Sequence, residues 1–230
     1  MDTLLKTIKI MTRQTKITTV LAVFTAFCMG MEGMRMYRSE SPSYIFLIWN
    51  LFLAWIPYLL SLQFMKLDIR ESRVGAALLL LLWILFLPNG PYIITDLIHL
   101  RPRAGAPMWY DVLLISTIAW NGLLLTLLSV GNIHRRLQAH VSPMKLWAAL
   151  FLLFLSAGYG IYLGRFLRLN SWDAFLNPWA LMRYSMMDIL HPLHHPESVA
   201  LTAIVGCLLS LSYAVFYLIT YPSKLQHETN

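Results

Sequence analysis

Asp96 and His99 stand three residues apart in an otherwise apolar stretch, Leu87-Pro88-Asn89-Gly90-Pro91-Tyr92-Ile93-Ile94-Thr95-Asp96-Leu97-Ile98-His99-Leu100. Carboxylates and imidazoles are the usual proton carriers of catalysis, and on a helix Tyr92, Asp96 and His99 fall at i, i+4 and i+7, on one face. Asp111 follows at the head of another apolar run, just after Trp109 and Tyr110. Four roles are open to such a set. Acid–base catalysis would use Asp96 or Asp111 as base and His99 as proton shuttle, with the planar fork of Arg165 or Arg168 holding an anionic group. A metal site would take Asp96 and His99 with Asp111 or with one of His191, His194 and His195, donors that suit zinc or a related ion. Against it, only two ligands are close in sequence and the histidine tract is broken by Pro192 and Pro196. Transport would draw on Asn50, Asn89 and Asn121, amides at a depth where a polar group needs a partner. No inverted repeat is detectable, however, and the cytoplasmic half of every span reads as almost wholly apolar, which favours an outward-open pocket over a through-path. An assembly role would rest on Ser156, Gly160 and Gly164, a small-xxx-small seam of the kind that lets helices approach, though such seams commonly serve internal packing. For a single arginine at a membrane boundary, structural pairing is the commoner fate, and Arg165 is expected to pair with Asp111 or Asp173.

The elements that must position these residues follow from composition. Of 230 residues, 58% are hydrophobic and 13% charged, with a mean hydropathy of +0.60. An ordinary soluble domain carries about a quarter charged residues. Soluble enzymes, disordered chains and disulfide scaffolds are thereby excluded, and an integral membrane protein remains. The net charge of +7 comes from basic residues lying between apolar segments, where they orient a chain in a bilayer; nucleic acid is not the expected partner. The two cysteines, Cys28 and Cys207, sit inside apolar runs and read as packing residues.

A transmembrane helix needs about 17–25 mostly apolar residues. Six runs of about that kind are present, at 17–34, 44–65, 74–87, 108–130, 145–164 and 199–221, within one domain covering 1–230. The first follows Lys6, Lys9, Arg13 and Lys16 without a small-residue cleavage site, so it reads as a retained signal anchor. Eleven of the 18 Lys and Arg residues fall on one side of this topology, including Lys66, Arg70, Arg73, Arg135, Arg136, Lys145 and Lys224. Arg35, Arg38, Arg101, Arg103, Arg165, Arg168 and Arg183 fall on the other. The more basic side is expected to be cytoplasmic, with both termini inside a bacterial cytoplasmic membrane.

Two prolines around Asn89-Gly90 are expected to interrupt the third span, and a short amphipathic helix restarts with Pro91 in its first turn. Non-helical backbone near membrane depth is tolerated where it borders a wet cavity, so Asn89 and Gly90 are expected at one. Between the fifth and sixth spans, Asn177-Pro178 marks a helix start, and Trp179, Met182, Met186 and Ile189 recur at helical spacing. This predicts a helix lying on the outer leaflet.

Trp49-Asn50-Leu51-Phe52-Leu53-Ala54-Trp55, the stretch from Leu87 to Leu100, Trp109-Tyr110-Asp111, Trp120-Asn121-Gly122, and Gly164-Arg165-Phe166 through Asn170-Ser171-Trp172-Asp173 resemble an uncharacterised family of bacterial multi-pass membrane proteins, the domain of unknown function thirteen-sixty-one. The resemblance spans roughly residues 40 to 220 and brings no established activity. Pro-Asn-x-Pro-Tyr-x-x-Thr-Asp is its most specific piece.

The expectation is therefore an all-α bundle of about six spans with an outward-facing polar pocket. Asp96, His99 and Asp111 are its candidate catalytic residues, and Asn50, Asn89, Tyr92, Asn121, Arg165, Asn170 and Asp173 its candidate substrate-binding residues. The expected partners are the bilayer and a lipid-linked or cell-envelope substrate. Neither cofactor, metal content nor oligomeric state can be read from these residues.

Overall fold

The computed structural model describes residues 2–40, 42–69, 71–102, 105–191 and 195–221, with side chains from Arg13 onward except that of Ile189. Arg70, Arg103, Lys224 and His194 lie outside the described residues, as do the side chains of Lys6 and Lys9. The chain is all-helical: α1 Asp2–Ser39, α2 Phe46–Lys66, α3 Arg73–Phe86, α4 Asn89–Tyr92, a 3-10 helix Ile93–His99, α5 Met108–Leu137, α6 Pro143–Phe166, α7 Asp173–Leu176, α8 Pro178–Leu190 and α9 Pro196–Thr220.

Six of these stretches are long and apolar enough to cross a membrane: Arg13–Ser39, Phe46–Lys66, Arg73–His99, Met108–Leu137, Pro143–Phe166 and Pro196–Thr220. The first runs past its expected end at Met34, because Arg35 is buried against the bundle rather than left in a loop. The third is longer too. Leu87 and Pro88 keep helical dihedrals and the Tyr92 N–H bonds the Pro88 carbonyl at 2.9 Å, so the helical path bends at the prolines and continues to His99.

The fourth span, α5, is the hub. More than half of its apolar stretch is buried, the largest share of any span, and it touches α1, α2, α4, the 3-10 helix and α9. One core cluster joins Trp83, Val130, Phe154, Ile161 and Tyr213; a second joins Leu21, Tyr44, Tyr58, Ile93 and Leu114. The bend is admitted by glycine. A Cβ on Gly90 would lie 2.7 Å from the Gly122 carbonyl oxygen and 2.1 Å from Thr126 Oγ1, so α4 crosses α5 backbone to backbone.

The small-residue seam of the fifth span is divided. Gly160 and Gly164 face Pro88 and Tyr92, Ser156 is exposed, and α6 meets α9 through Gly158 and Gly206 instead. Cys28 is buried as expected of a packing residue, whereas Cys207 is exposed on α9. α8 begins at Pro178 after Asn177, although the Asn177 side chain makes no capping bond. Trp179, Met182, Met186 and Leu190 are exposed along α8, and Tyr159 on α6 donates to Asp188 Oδ2 at 2.9 Å, tying the helix down.

The helices alternate in direction, which gathers residues 42–45, 100–102, 105–107 and 167–191 at one end of the bundle. The opposite half is not apolar, contrary to expectation. Asn132 accepts from Gln14 Nε2 and from Arg135 Nη2, both at 2.8 Å, and donates to Ser61 Oγ at 3.0 Å. His134 Nδ1 lies 2.6 Å from the Tyr213 hydroxyl. Asn132, His134 and Arg135 sit together near the end of α5, but their partners Gln14, Ser61 and Tyr213 come from three other helices.

Candidate functional site

Local geometry explains why the side chains of the bent segment converge. A 3-10 helix has three residues per turn, so side chains at i and i+3 eclipse. Asp96 therefore stands over His99, and Thr95 over Tyr92. Thr95 Oγ1 also bonds the Tyr92 carbonyl at 2.6 Å, which ties the 3-10 helix to α4.

All four meet the last turn of α6. The Arg165 guanidinium donates to Asp96 Oδ1 at 2.5 Å, to Thr95 Oγ1 from Nη2 at 2.6 Å and from Nε at 2.9 Å, and to His99 Nε2 at 3.0 Å. It lies 4.4 Å from the centre of the Tyr92 ring. Because arginine only donates, His99 Nε2 is the acceptor. The second carboxylate oxygen of Asp96 accepts from Asn50 Nδ2 on α2 at 2.8 Å. Asp96 is 1% exposed and Arg165 13%. A buried ion pair of this kind compensates its desolvation only when its geometry is good and its other polar atoms are bonded, and here both carboxylate oxygens are engaged.

Two adjoining cavities open beside this cluster. One, of about 320 Å³, is lined by Trp49 and Asn50 of α2, Asn89 and Tyr92 of α4, and Asn170 and Ser171 beyond α6. The other, of about 440 Å³, is lined by His99, Arg101, Arg165 and Ile98. Tyr92, Gly164 and Arg168 border both. Asn89 Nδ2 donates to Ser171 Oγ at 3.1 Å, and Asp173 Oδ2 accepts from the Asn170 N–H at 2.6 Å, so the 170–173 turn closes one wall.

Asn50, Asn89, Tyr92, Arg165, His99 and Asn170 therefore lie at the cavities, with Asp96 buried behind them and Asp173 bracing the wall. Asp111 and Asn121 do not join them. Arg165 pairs with Asp96 and neither with Asp111 nor with Asp173, because Asp111 is taken by α1. Arg35 Nε donates to Asp111 Oδ1 at 2.6 Å and its Nη2 to Oδ2 at 3.2 Å, both side chains being 1% exposed. Asn121 donates to Thr25 Oγ1 at 2.9 Å and approaches Cys28 Sγ at 3.8 Å. Glu32, one turn before Arg35, is fully buried, with neither carboxylate oxygen hydrogen-bonded among the described residues.

Sequence reasoning missed this second cluster. The signal was present: Gln14, Thr18, Leu21, Thr25, Cys28, Glu32 and Arg35 repeat at alternating spacings of four and three, a single stripe in which five of the seven residues, all but Leu21 and Cys28, are polar or charged. Thr95 and Ser171 lie within the motifs that carry the family resemblance but were assigned no role at the site, although Thr95 accepts from Arg165 and Ser171 from Asn89. Among the described residues no three His, Cys, Asp or Glu side chains converge as metal ligands. Between Asp96 and His99 the guanidinium of Arg165 takes the place a cation would need.

An all-helical protein, then, with six candidate membrane spans and a polar, arginine-anchored pair of cavities at one end of the bundle. The chain belongs to the family described as "Protein of unknown function (DUF1361)", whose model matches residues 49–212. No curated protein and no solved structure matches the chain.

Proposed function

We propose that the chain is a multi-pass protein of a bacterial cytoplasmic membrane, with both termini inside, whose outward-facing cavities recognise the polar part of a lipid-linked or cell-envelope substrate. The observation that carries this reading is the lining of the 320 Å³ cavity. Amides and a hydroxyl from three separate elements, Asn50, Asn89, Asn170 and Ser171, meet beside the aromatic walls Trp49 and Tyr92. Ligand sites are typically concave, with volumes of about 300–1,000 Å³ and a few convergent polar groups on apolar walls. Exposed Trp179 and Met182 on neighbouring α8 fit a helix lying along the headgroup layer, where an amphiphile would approach.

Asp96 serves this reading as a positioning residue. Both of its oxygens are occupied, and it holds Arg165 and Asn50 in place. His99, which borders the second cavity, is the better placed of the expected catalytic residues to meet a substrate.

The test is photo-crosslinking in native membranes from Leu181, which lines the cavity, against Ile219, exposed on α9 near the other end. Adducts at Leu181 are expected to be enriched in one amphiphile and to be lost in Asn89→Ala. Adducts that match bulk lipid equally at both positions overturn the proposal. A second reading, small-solute or ion transport, draws support from the polar stripe of α1, which runs from Arg35 and Glu32 to Gln14 through most of the bundle. It expects substitution of Asn121 to abolish solute flux while leaving the Leu181 adducts unchanged.

A further inference from the structure

We propose that the group recognised in these cavities bears a phosphate and that Arg168 is the residue that binds it, an inference that rests on the cavity reading above and adds the chemical class of the ligand. Three guanidinium groups line the two cavities, those of Arg101, Arg165 and Arg168, and no carboxylate does among the described residues. Arg165 is neutralised by Asp96 from behind. Arg101 and Arg168 are exposed, and neither has an acceptor among the described residues. Two uncompensated like charges beside one concavity focus a positive potential there, which is the electrostatic footprint of an anion site. A planar fork matches the oxygens of a phosphate, and two of them match its double charge.

The backbone adds an independent observation. Arg168 has φ +57°, in the left-handed region that favours glycine. It follows the last turn of α6, and the turn it makes returns the Leu169 N–H to the Leu163 carbonyl at 3.2 Å. At this helix-ending position glycine is the usual residue. A basic side chain could meet the helix dipole from the preceding turn without strain. Strain retained at an arginine that borders both cavities instead points the guanidinium's position to a use.

The experiment uses the purified full chain in a neutral detergent with three probes: dioctanoyl phosphatidic acid, dioctanoylglycerol with the same tails and no phosphate, and inorganic phosphate. Binding is read by calorimetry and by the fluorescence of Trp49, compared with Trp49→Phe. Saturable binding of phosphatidic acid is expected, weakened at least tenfold in Arg168→Gly, with the thermal midpoint of that variant equal to or above that of the parent. Displacement by inorganic phosphate would show that a free phosphate suffices; failure to displace would show that the phosphate must be lipid-borne. Undiminished binding in Arg168→Gly overturns the inference, as does equal binding of dioctanoylglycerol, which would leave the cavity reading intact. Absence of phosphatidic acid binding overturns it too, and together with the absence of a selective adduct at Leu181 it sinks both readings.

Discussion

Arg165 is where four elements are locked to one another, since it projects from α6, its partners Tyr92, Thr95, Asp96 and His99 come from α4 and the 3-10 helix, and Asp96 reaches on to Asn50 of α2. Removing one member of a buried ion pair leaves an uncompensated charge, at a cost of about 3–5 kcal/mol. Arg165→Ala is therefore expected to lower the yield of monodisperse protein in detergent sharply. Arg165→Lys should recover only part of that yield, because an ammonium cannot span Thr95, Asp96 and His99 as a fork does. The paired change Arg165→Met with Asp96→Leu should restore folding while abolishing substrate adducts, which separates the structural duty of the pair from its duty at the cavity. Arg168 is expected to behave in the opposite sense. Arg168→Gly relieves a left-handed backbone worth about 1–2 kcal/mol but adds the chain entropy of glycine, so a thermal melt should show a change between about zero and +1 kcal/mol.

For the helices and the short segments between them, the governing fact is how closely α4 lies on α5. Gly90→Val would drive a side chain into the Gly122 carbonyl and Thr126, and destabilisation of about 3 kcal/mol is expected, visible as a lowered melting midpoint. The spans were legible in the sequence because an apolar run of helical length has few other fates in a chain with so few charges. The bend at Pro88 was legible from its prolines and Gly90. The 3-10 form of Ile93–His99 was not, since the i, i+4, i+7 spacing of Tyr92, Asp96 and His99 fits an α-helix equally well. The convergence of those three on Arg165 was equally hidden, as their partner lies about 70 residues away. The polar stripe of α1 escaped for another reason. A span that is ended at its first basic residue stops at Met34, which leaves Arg35 looking like a loop residue and removes the partner of Asp111.

At the scale of the whole molecule, the ion pairs Arg35–Asp111 and Arg165–Asp96 share one end of the bundle, and the proposed orientation turns that end outward. With exposed Cys207 replaced by Ser, a cysteine at Arg101 should react with an impermeant maleimide in intact cells, and a cysteine at His140 only after permeabilisation; the reverse pattern would invert the topology. The residues matched by the family, 49–212, begin after α1. Yet Asp111 and Asn121 within that stretch bond Arg35 and Thr25 outside it. A fragment starting at Pro42 is accordingly expected to be degraded in membranes, and co-expression of α1 as a separate chain to rescue it.

The Arg35 to Asp111 pair also sets a schedule for biogenesis. The two residues are 76 positions apart, and a ribosome adding about 5–20 residues per second needs roughly 4–15 s to deliver the second after the first. Through that interval α1 carries Glu32 and Arg35 with no α5 to receive them. Hydrocarbon is a poor place for either to wait, so α1 is expected to linger beside the insertion machinery until Asp111 emerges, and pausing translation between the two should lengthen that stay.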